Sequence, residues 1–100
     1  ISDGIEGFLR TIALGQPGEA YNIGNEKPEI SMLDLAKLFF KIENKDENIN
    51  KIAYPSSYPA DEPNRRCPNT FKAKDHLNFH AKISLEEGVF NYLDWCKSNF

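Results

Sequence analysis

Two adjacent arginines, Arg65 and Arg66, are the residues whose type and spacing first suggest chemistry. They are two of only three arginines in a chain of 100 residues. A guanidinium group presents a planar fork of N–H donors that matches two oxygens of a phosphate or a carboxylate. The pair therefore predicts an anion-binding site. The alternative is an ion pair on a solvated loop, in which Asp61 and Glu62 neutralise the arginines.

The stretch that carries these arginines has to be a coil. Four prolines lie between positions 55 and 68, so neither a helix nor a strand can run through the region. Because proline fixes φ, it also lowers the entropy that a coil loses when it is held in one shape. We expect this coil to present Arg65 and Arg66 to an anion.

Other polar residues have simpler explanations than catalysis. Asn22, at the end of a predicted strand, is a candidate for ligand contact, and a turn-forming role is the alternative. His76 and His80 have a spacing that can hold a metal on one helix face, but we expect the helix to stop before His80. The sequence contains no Walker-type phosphate loop, glycine-rich dinucleotide turn, nucleophile elbow or zinc-protease motif. Residue types alone therefore predict a binding loop without a reaction centre or a metal site.

Composition and charge exclude several classes of protein. Hydrophobic residues make up 40% of the chain, which is enough for the core of one small domain. The formal net charge of −3 argues against a general nucleic-acid binder. No apolar run approaches the roughly 20 residues that cross a bilayer, and two cysteines are too few for a disulfide scaffold. We expect a cytoplasmic protein that binds neither nucleic acid nor membranes.

Apolar spacing and capping residues predict four helices. The first covers Asp3–Leu14, with its apolar side chains on one face, and the second follows the cap Ser31 and buries an apolar stripe. The third covers Thr70–Leu77 and stops at Asn78, which tolerates the left-handed conformation. The last begins after Ser84, which with the glutamate three residues later forms a capping box.

Two short apolar runs predict strands, one inside EAYNIGN and a briefer one at IAY. The expected fold class is α/β, as a helix-rich α+β piece with about four helices and two or three short strands. So few short strands cannot form a stable sheet by themselves. The chain also opens inside an amphipathic pattern, so we expect it to be the end of something larger.

Four motifs follow one another in a recognisable order: ISDGIEGFLRTIALGQPGEAYNIGN, EISMLDLAKLF, YPADEPNRRCPNTFKAKDHLNF and KISLEEGVFNYLDW. Together they resemble the C-terminal third of the extended short-chain dehydrogenase/reductase (SDR) family, which contains the NAD-dependent nucleotide-sugar epimerases, dehydratases and decarboxylases. The resemblance covers nearly the whole chain and is strongest toward UDP-glucuronate decarboxylases. It does not distinguish one reaction from another.

The resemblance implies that residues 1–100 form a single substrate-binding segment, the C-terminal lobe of a Rossmann enzyme. Arg66 matches the family's arginine near the substrate diphosphate, and Arg65 matches the basic residue before it. Asn22 and Tyr58 are further candidates for contacts in the substrate lobe. At Asn69 and three other positions this sequence departs from the family's pattern, which leaves the subfamily open.

The family's catalytic parts are missing from this sequence, namely the glycine-rich turn and the tyrosine-x-x-x-lysine pair. We therefore expect no catalytic residue in the segment, no NAD binding by the segment alone, and no activity without the N-terminal Rossmann domain. The parent enzyme is expected to use NAD, to act on an NDP-sugar with a UDP-sugar favoured, and to form a homodimer. The alternative hypothesis is a non-catalytic binding or protein-interaction module.

Overall fold

A computed structural model describes residues 1–59, 61 and 65–100 of the chain. These residues form four helices: α1 (Ser2–Leu14), α2 (Met32–Ile42), α3 (Phe71–Leu77) and α4 (Leu85–Asn99). The four predicted helices are thus confirmed. In the described part of the chain, no helix has the length and apolar character needed to span a bilayer.

The chain divides into two compact units. The first consists of Ile1–Glu29 and Cys67–Phe100, and it contains α1, α3 and α4. The second consists of Ile30–Arg66 and contains α2.

The predicted strands are not confirmed. Both EAYNIGN and IAY are coil, and the described residues contain no strand at all. A short apolar run supplies the side-chain pattern of a strand, but a strand also needs a neighbour to which its main chain can hydrogen-bond. The described residues provide no such neighbour, so the runs remain coil.

The core of the first unit is built around α3. Ala73, Leu77 and Phe79 are between 0% and 1% exposed. Partly buried side chains pack against them, namely Tyr21, Ile23 and Ala81. Asn78 adopts the predicted left-handed conformation with φ of 49°. This turn reverses the chain, so that Phe79 packs in the same cluster as Leu77.

The serine caps of α2 and α4 are confirmed. The Oγ atom of Ser31 accepts from the main-chain N–H of Asp34 at 3.0 Å, and that of Ser84 accepts from Glu87 at 3.1 Å. The apolar stripe of α2 is only partly buried: none of the helix's residues is fully buried, and four are half-buried on that stripe, namely Leu35, Leu38, Phe39 and Ile42. In α4 the one fully buried residue is Val89.

The apolar face of α1 is exposed. Its large side chains are between 53% and 69% exposed, namely Ile5, Phe8, Leu9 and Ile12. Gly7 lies on the opposite side of the helix and is buried against Ile23, where a Cβ atom would overlap the Ile23 side chain. The helix therefore packs within this unit through its glycine-containing side.

Polar contacts also hold that side of α1. The Asp3 carboxylate accepts from the main-chain N–H groups of Lys82 and Ile83 at 3.0 and 2.9 Å. The Arg10 guanidinium donates to the main-chain oxygen of Leu77 at 3.1 Å. These bonds join α1 to the end of α3 and to the chain before α4, so the apolar face is turned away from the unit.

Candidate functional site

Arg65 and Arg66 are exposed and are the last two residues of the second unit. Tyr58 belongs to the same unit and is 42% exposed. Its ring stacks on Tyr54, with centroids 4.2 Å apart and an angle of 27° between the planes. Part of the predicted coil, Ala60 and residues 62–64 with Glu62 and Pro63, lies outside the described residues.

Asn22 belongs to the first unit, and its amide group contacts the protein itself. Its Nδ2 atom donates to the main-chain oxygen of Asn69 at 3.0 Å. This bond is the first of several between the coil at residues 22–26 and the segment Cys67–Thr70, which directly follows the two arginines. We call this set of contacts the clamp.

Two further contacts of the clamp involve Gly24, Pro68 and Cys67. A Cβ atom on Gly24 would lie 3.1 Å from Cγ of Pro68, so the glycine allows the proline ring to pack closely on the main chain. The Cys67 thiol donates to the main-chain oxygen of Glu26 at 3.5 Å. Contacts thus fall on each of the three residues that follow Arg66.

The Glu26 carboxylate is the centre of the clamp. Its Oε1 atom accepts from the N–H of Thr70 at 2.9 Å and from the Thr70 hydroxyl at 2.7 Å. Its Oε2 atom pairs with Nζ of Lys74 at 2.6 Å. Thr70 is only 2% exposed, so these bonds satisfy a buried hydroxyl that would otherwise destabilise the fold.

Little in the sequence indicates this cluster. Glu26 is separated from its partners by 44 and 48 residues, and no local pattern joins positions so far apart. The one usable signal is that Thr70 and Lys74 are four residues apart and so share a helix face. Asn69 and Thr70 are both candidates to cap α3 by residue type. Asn69 Oδ1 accepts from the N–H of Phe71 at 2.9 Å, while the Thr70 side chain makes no cap bond and its hydroxyl donates to Glu26.

These partners lower the pKa of Glu26 strongly. The hydrogen bond from Lys74, followed by those from the Thr70 hydroxyl and main chain, brings its pKa from 4.5 to about 2. Lys27 and His80 line the same surface pocket as Glu26, Thr70 and Lys74. Because the pKa is lower in the folded state, the stability that Glu26 contributes is fully present above about pH 4.5. It is lost as the pH falls toward 2.

We expect an acid titration to report this carboxylate directly. The amide resonance of Thr70 in an NMR spectrum should shift with a midpoint near the Glu26 pKa of about 2. The variant Glu26→Gln, which has no carboxyl group to titrate, should lose this transition. A midpoint near the ordinary value of 4.5 would show that the clamp does not form.

A second ion pair joins Glu19, which precedes the coil at residues 22–26, to α3 without reaching the segment Cys67–Thr70. The Oε2 atom of Glu19 lies 2.6 Å from Nζ of Lys72. One helical turn away, the hydroxyl of Tyr21 lies 3.2 Å from Nδ1 of His76. Among the residues that the structure describes, no group of three or more histidine, cysteine, aspartate or glutamate side chains is placed to hold a metal ion.

The described residues do not fit NAD. Dinucleotide binding in the Rossmann manner needs a strand, a glycine-rich turn and an open helix N-terminus at the pyrophosphate. The residues described here include no strand, and the serine caps occupy N–H groups at the starts of α2 and α4. The described residues therefore lack the strand and glycine-rich turn of a Rossmann dinucleotide site.

Comparison with known proteins gave relatives that include enzymes named for nucleotide sugars. dTDP-D-glucose 4,6-dehydratase of Mus musculus is 30% identical over 101 residues, which cover 99% of this chain and 28% of the relative. UDP-glucuronic acid decarboxylase 2 of Arabidopsis thaliana is 36% identical over 89 residues, or 89% of this chain and 19% of the relative. UDP-N-acetyl-alpha-D-glucosaminuronate decarboxylase of Bacillus cytotoxicus is 28% identical over 98 residues, or 95% and 30%.

These relatives confirm the resemblance to the C-terminal part of nucleotide-sugar dehydratases and decarboxylases, and they agree with the extended SDR family. The chain spans less than a third of the length of each of the three relatives. No protein-family model matches the chain. No solved structure matches it significantly.

Proposed function

We propose that this chain is the C-terminal, nucleotide-sugar-binding part of an NAD-dependent epimerase, dehydratase or decarboxylase. The observation that carries the proposal is the similarity, over 99% of the chain, to an enzyme named for a dTDP-sugar, together with relatives named for UDP-sugars. In this proposal the complete enzyme acts on an NDP-sugar, with a UDP-sugar favoured. The segment binds substrate and is inactive without the Rossmann domain.

In this proposal Arg66, assisted by Arg65, binds the diphosphate of the substrate. Two phosphoryl groups carry negative charge on several oxygens, and a guanidinium can donate to two of them at once. Each charge-assisted hydrogen bond contributes about 1.5–3 kcal/mol when water is excluded. Both arginines lie on the surface of the second unit. Asn22 is less suited to bind substrate, because its amide nitrogen is engaged by Asn69.

An NMR titration tests the diphosphate site. Labelled protein is titrated with UDP, a UDP-sugar and inorganic pyrophosphate, and shifts are followed at Arg65 and Arg66. We expect the changes to cluster at these two residues for all three probes, because the diphosphate is what they share. A well-folded sample with no shifts there would contradict the proposal and favour a non-catalytic interaction module.

The exposed apolar face of α1 fits the same proposal. Side chains such as Phe8 and Leu9, at 65% and 58% exposed, leave apolar surface in water that burial would stabilise by about 25 cal/mol per Å². The relatives are more than three times longer than the part matched here. We therefore propose that the remainder of the polypeptide, including the Rossmann domain, covers this face.

Substitution of Leu9 tests this coverage in the full-length polypeptide that contains the chain. Leu9→Glu should lower the free energy of unfolding by about 2 kcal/mol or more, because it places an unpaired charge in a covered apolar interface. The matched variant Leu9→Met keeps the volume and should cost less than about 1.5 kcal/mol. Urea denaturation measures both. A loss from Leu9→Glu within about 0.5 kcal/mol, as at exposed positions, would show that the face remains in water.

A further inference from the structure

We propose that the residues directly before Ile1 in the full-length polypeptide occupy an apolar groove between the start of α1 and one face of α4. The inference rests on the proposed function, because it requires the longer enzyme of which this chain is the C-terminal part. It goes beyond the coverage of the α1 face, since it concerns a different surface and assigns that surface to one segment. Every residue that lines the groove belongs to the first compact unit.

The groove has the size and the lining of a site for apolar side chains. Its volume is about 490 Å³, within the range of roughly 300–1,000 Å³ that is usual for ligand pockets. Ile1 and Ser2 line one side, and Ile83 also contributes. Four residues of α4 at the spacing of one helix face line the other side, namely Gly88, Asn91, Tyr92 and Trp95. None of the lining residues has a charged side chain, so the groove suits an uncharged apolar segment.

Contacts within the unit form the groove. The Asp3 carboxylate in the first turn of α1 accepts from the main-chain N–H groups of Lys82 and Ile83, just before α4. Gly88 leaves space on the α4 side, because a Cβ atom there would have its nearest neighbour at 3.8 Å, in Cγ2 of Ile83. The two sides of the groove are thus joined without the help of a partner.

The aromatic side chains of the groove are exposed in this chain. Trp95 is 52% exposed and Tyr92 is 54% exposed. Their rings lie nearly parallel, with centroids 6.4 Å apart and an angle of 28° between the planes. Large aromatic surfaces contribute strongly to stability when they are removed from water, so the groove favours an apolar occupant.

The start of α1 indicates which segment that occupant is. Ile1 caps α1, and its main-chain oxygen accepts from the N–H of Ile5 at 3.0 Å, so the position of Ile1 beside the groove is fixed. The preceding residue must have its Cα atom about 3.8 Å from that of Ile1. A segment so close pays only the entropy of closing a short loop, whereas a separate partner also loses translational and rotational freedom.

The relatives supply the polypeptide that such a segment requires. The part matched by this chain is 28% of the dTDP-D-glucose 4,6-dehydratase of Mus musculus, and it is the C-terminal part. The α4 side of the groove rises by about 10 Å from Gly88 to Trp95, at 1.5 Å per residue. About three residues in an extended conformation cover this length. The residues nearest to Ile1 are therefore sufficient to fill the groove.

Hydroxyl-radical footprinting of the unsubstituted full-length polypeptide tests whether the groove is filled. The labelling rate of each side chain is measured in the native protein and in urea, and the ratio of the two rates corrects for intrinsic reactivity. Phe90 is the matched control, because it is 59% exposed and lies on the opposite side of α4. We expect Tyr92 and Trp95 to be protected at least about fivefold more than Phe90, because the core of an interface is fully buried.

Disulfide cross-linking of the same polypeptide tests which segment fills the groove. Cysteine is placed in turn at each of about five positions before Ile1, a stretch long enough to cross the groove. Each is combined with Asn91→Cys in the groove or with the control Glu86→Cys, which is exposed on the opposite side of α4. A disulfide needs Cα atoms within about 7 Å, so we expect a bond to position 91 and none to position 86. Peptide mass spectrometry identifies the cysteines that are joined.

Two results would overturn the inference. One is protection of Tyr92 and Trp95 no greater than that of Phe90, which needs no substitution and therefore does not depend on the folding of a variant. The other is protection without a selective bond to position 91, which would mean that a second copy, a small molecule or another part of the polypeptide covers the groove.

Failure of the proposed function gives a different result. The affinity for UDP is measured by calorimetry on the full-length polypeptide and on its Arg66→Gln variant. An unchanged affinity in this variant would contradict the diphosphate site, whatever the cross-links show. A weakened affinity together with an unprotected groove would overturn only the inference.

Discussion

Arg66→Gln is expected to weaken the binding of UDP by about 10- to 100-fold in the full-length polypeptide. The glutamine side chain is neutral and cannot donate two parallel N–H bonds to phosphate oxygens, so both the charge and the fork are lost. Arg66→Lys should restore part of the affinity, because it keeps the charge without the planar fork. Isothermal calorimetry measures all three proteins.

A change of net charge alone has to be separated from the loss of this contact. Lys51→Gln makes the same change of one charge at an exposed position in the same unit. It should alter the affinity by less than about twofold at physiological ionic strength, because salt screens an exposed charge that makes no contact with the ligand. Equal losses from the Arg66 and Lys51 substitutions would mean that the long-range field, and not a diphosphate contact, attracts UDP.

Phe79→Ala is expected to lower the free energy of unfolding by about 3–5 kcal/mol. Phe79 is 1% exposed and packs with Ala73 and Leu77, so the substitution removes buried apolar surface and leaves a cavity. Domains are stable by only about 5–15 kcal/mol, so the loss is a large fraction of the total. The midpoint of urea denaturation reports the change.

The matched control for this prediction is Phe71→Ala. Phe71 begins α3 and is 71% exposed, so the same chemical substitution removes little buried surface. We expect a loss of less than about 1 kcal/mol, as is typical of surface positions. If the two variants lost equal stability, the cluster around α3 would not be the core of this unit.

The helices could be predicted because their determinants are local. Ser31 and Ser84 each accept from an N–H group three residues later, so a reader of the sequence needs only a short window to place these helix starts. Asn78 ends α3 with φ of 49° for a similarly local reason. The presence of a strand could not be decided from a short window of sequence, because a strand forms only where a second segment hydrogen-bonds to its main chain.

The orientation of α1 could not be predicted from its periodicity. The pattern of Ile5, Phe8 and Leu9 identifies an apolar face correctly, but it does not state what that face contacts. In this chain Gly7 and the polar residues of the other face pack inward, because the glycine permits close approach to Ile23. The contact is between residues 16 positions apart and depends on the absence of a side chain.

Some residues of the candidate site can be recognised from the local sequence, whereas others depend on contacts between distant positions. Arg65 and Arg66 stand out in the sequence by residue type and by their proline-rich setting. Glu26 does not, because its importance arises from bonds to Thr70 and Lys74 that form only after folding. Residue type can therefore be recognised in a sequence, whereas the contacts of Glu26 are seen only in the folded chain.

The most direct test of the central claim is a crystal structure of the full-length polypeptide with a bound UDP-sugar. We expect a guanidinium nitrogen of Arg66 to lie about 2.7–3.2 Å from an oxygen of the diphosphate, within hydrogen-bonding distance. A well-defined ligand whose diphosphate lies beyond about 5 Å from this side chain, where no hydrogen bond can form, would contradict the account.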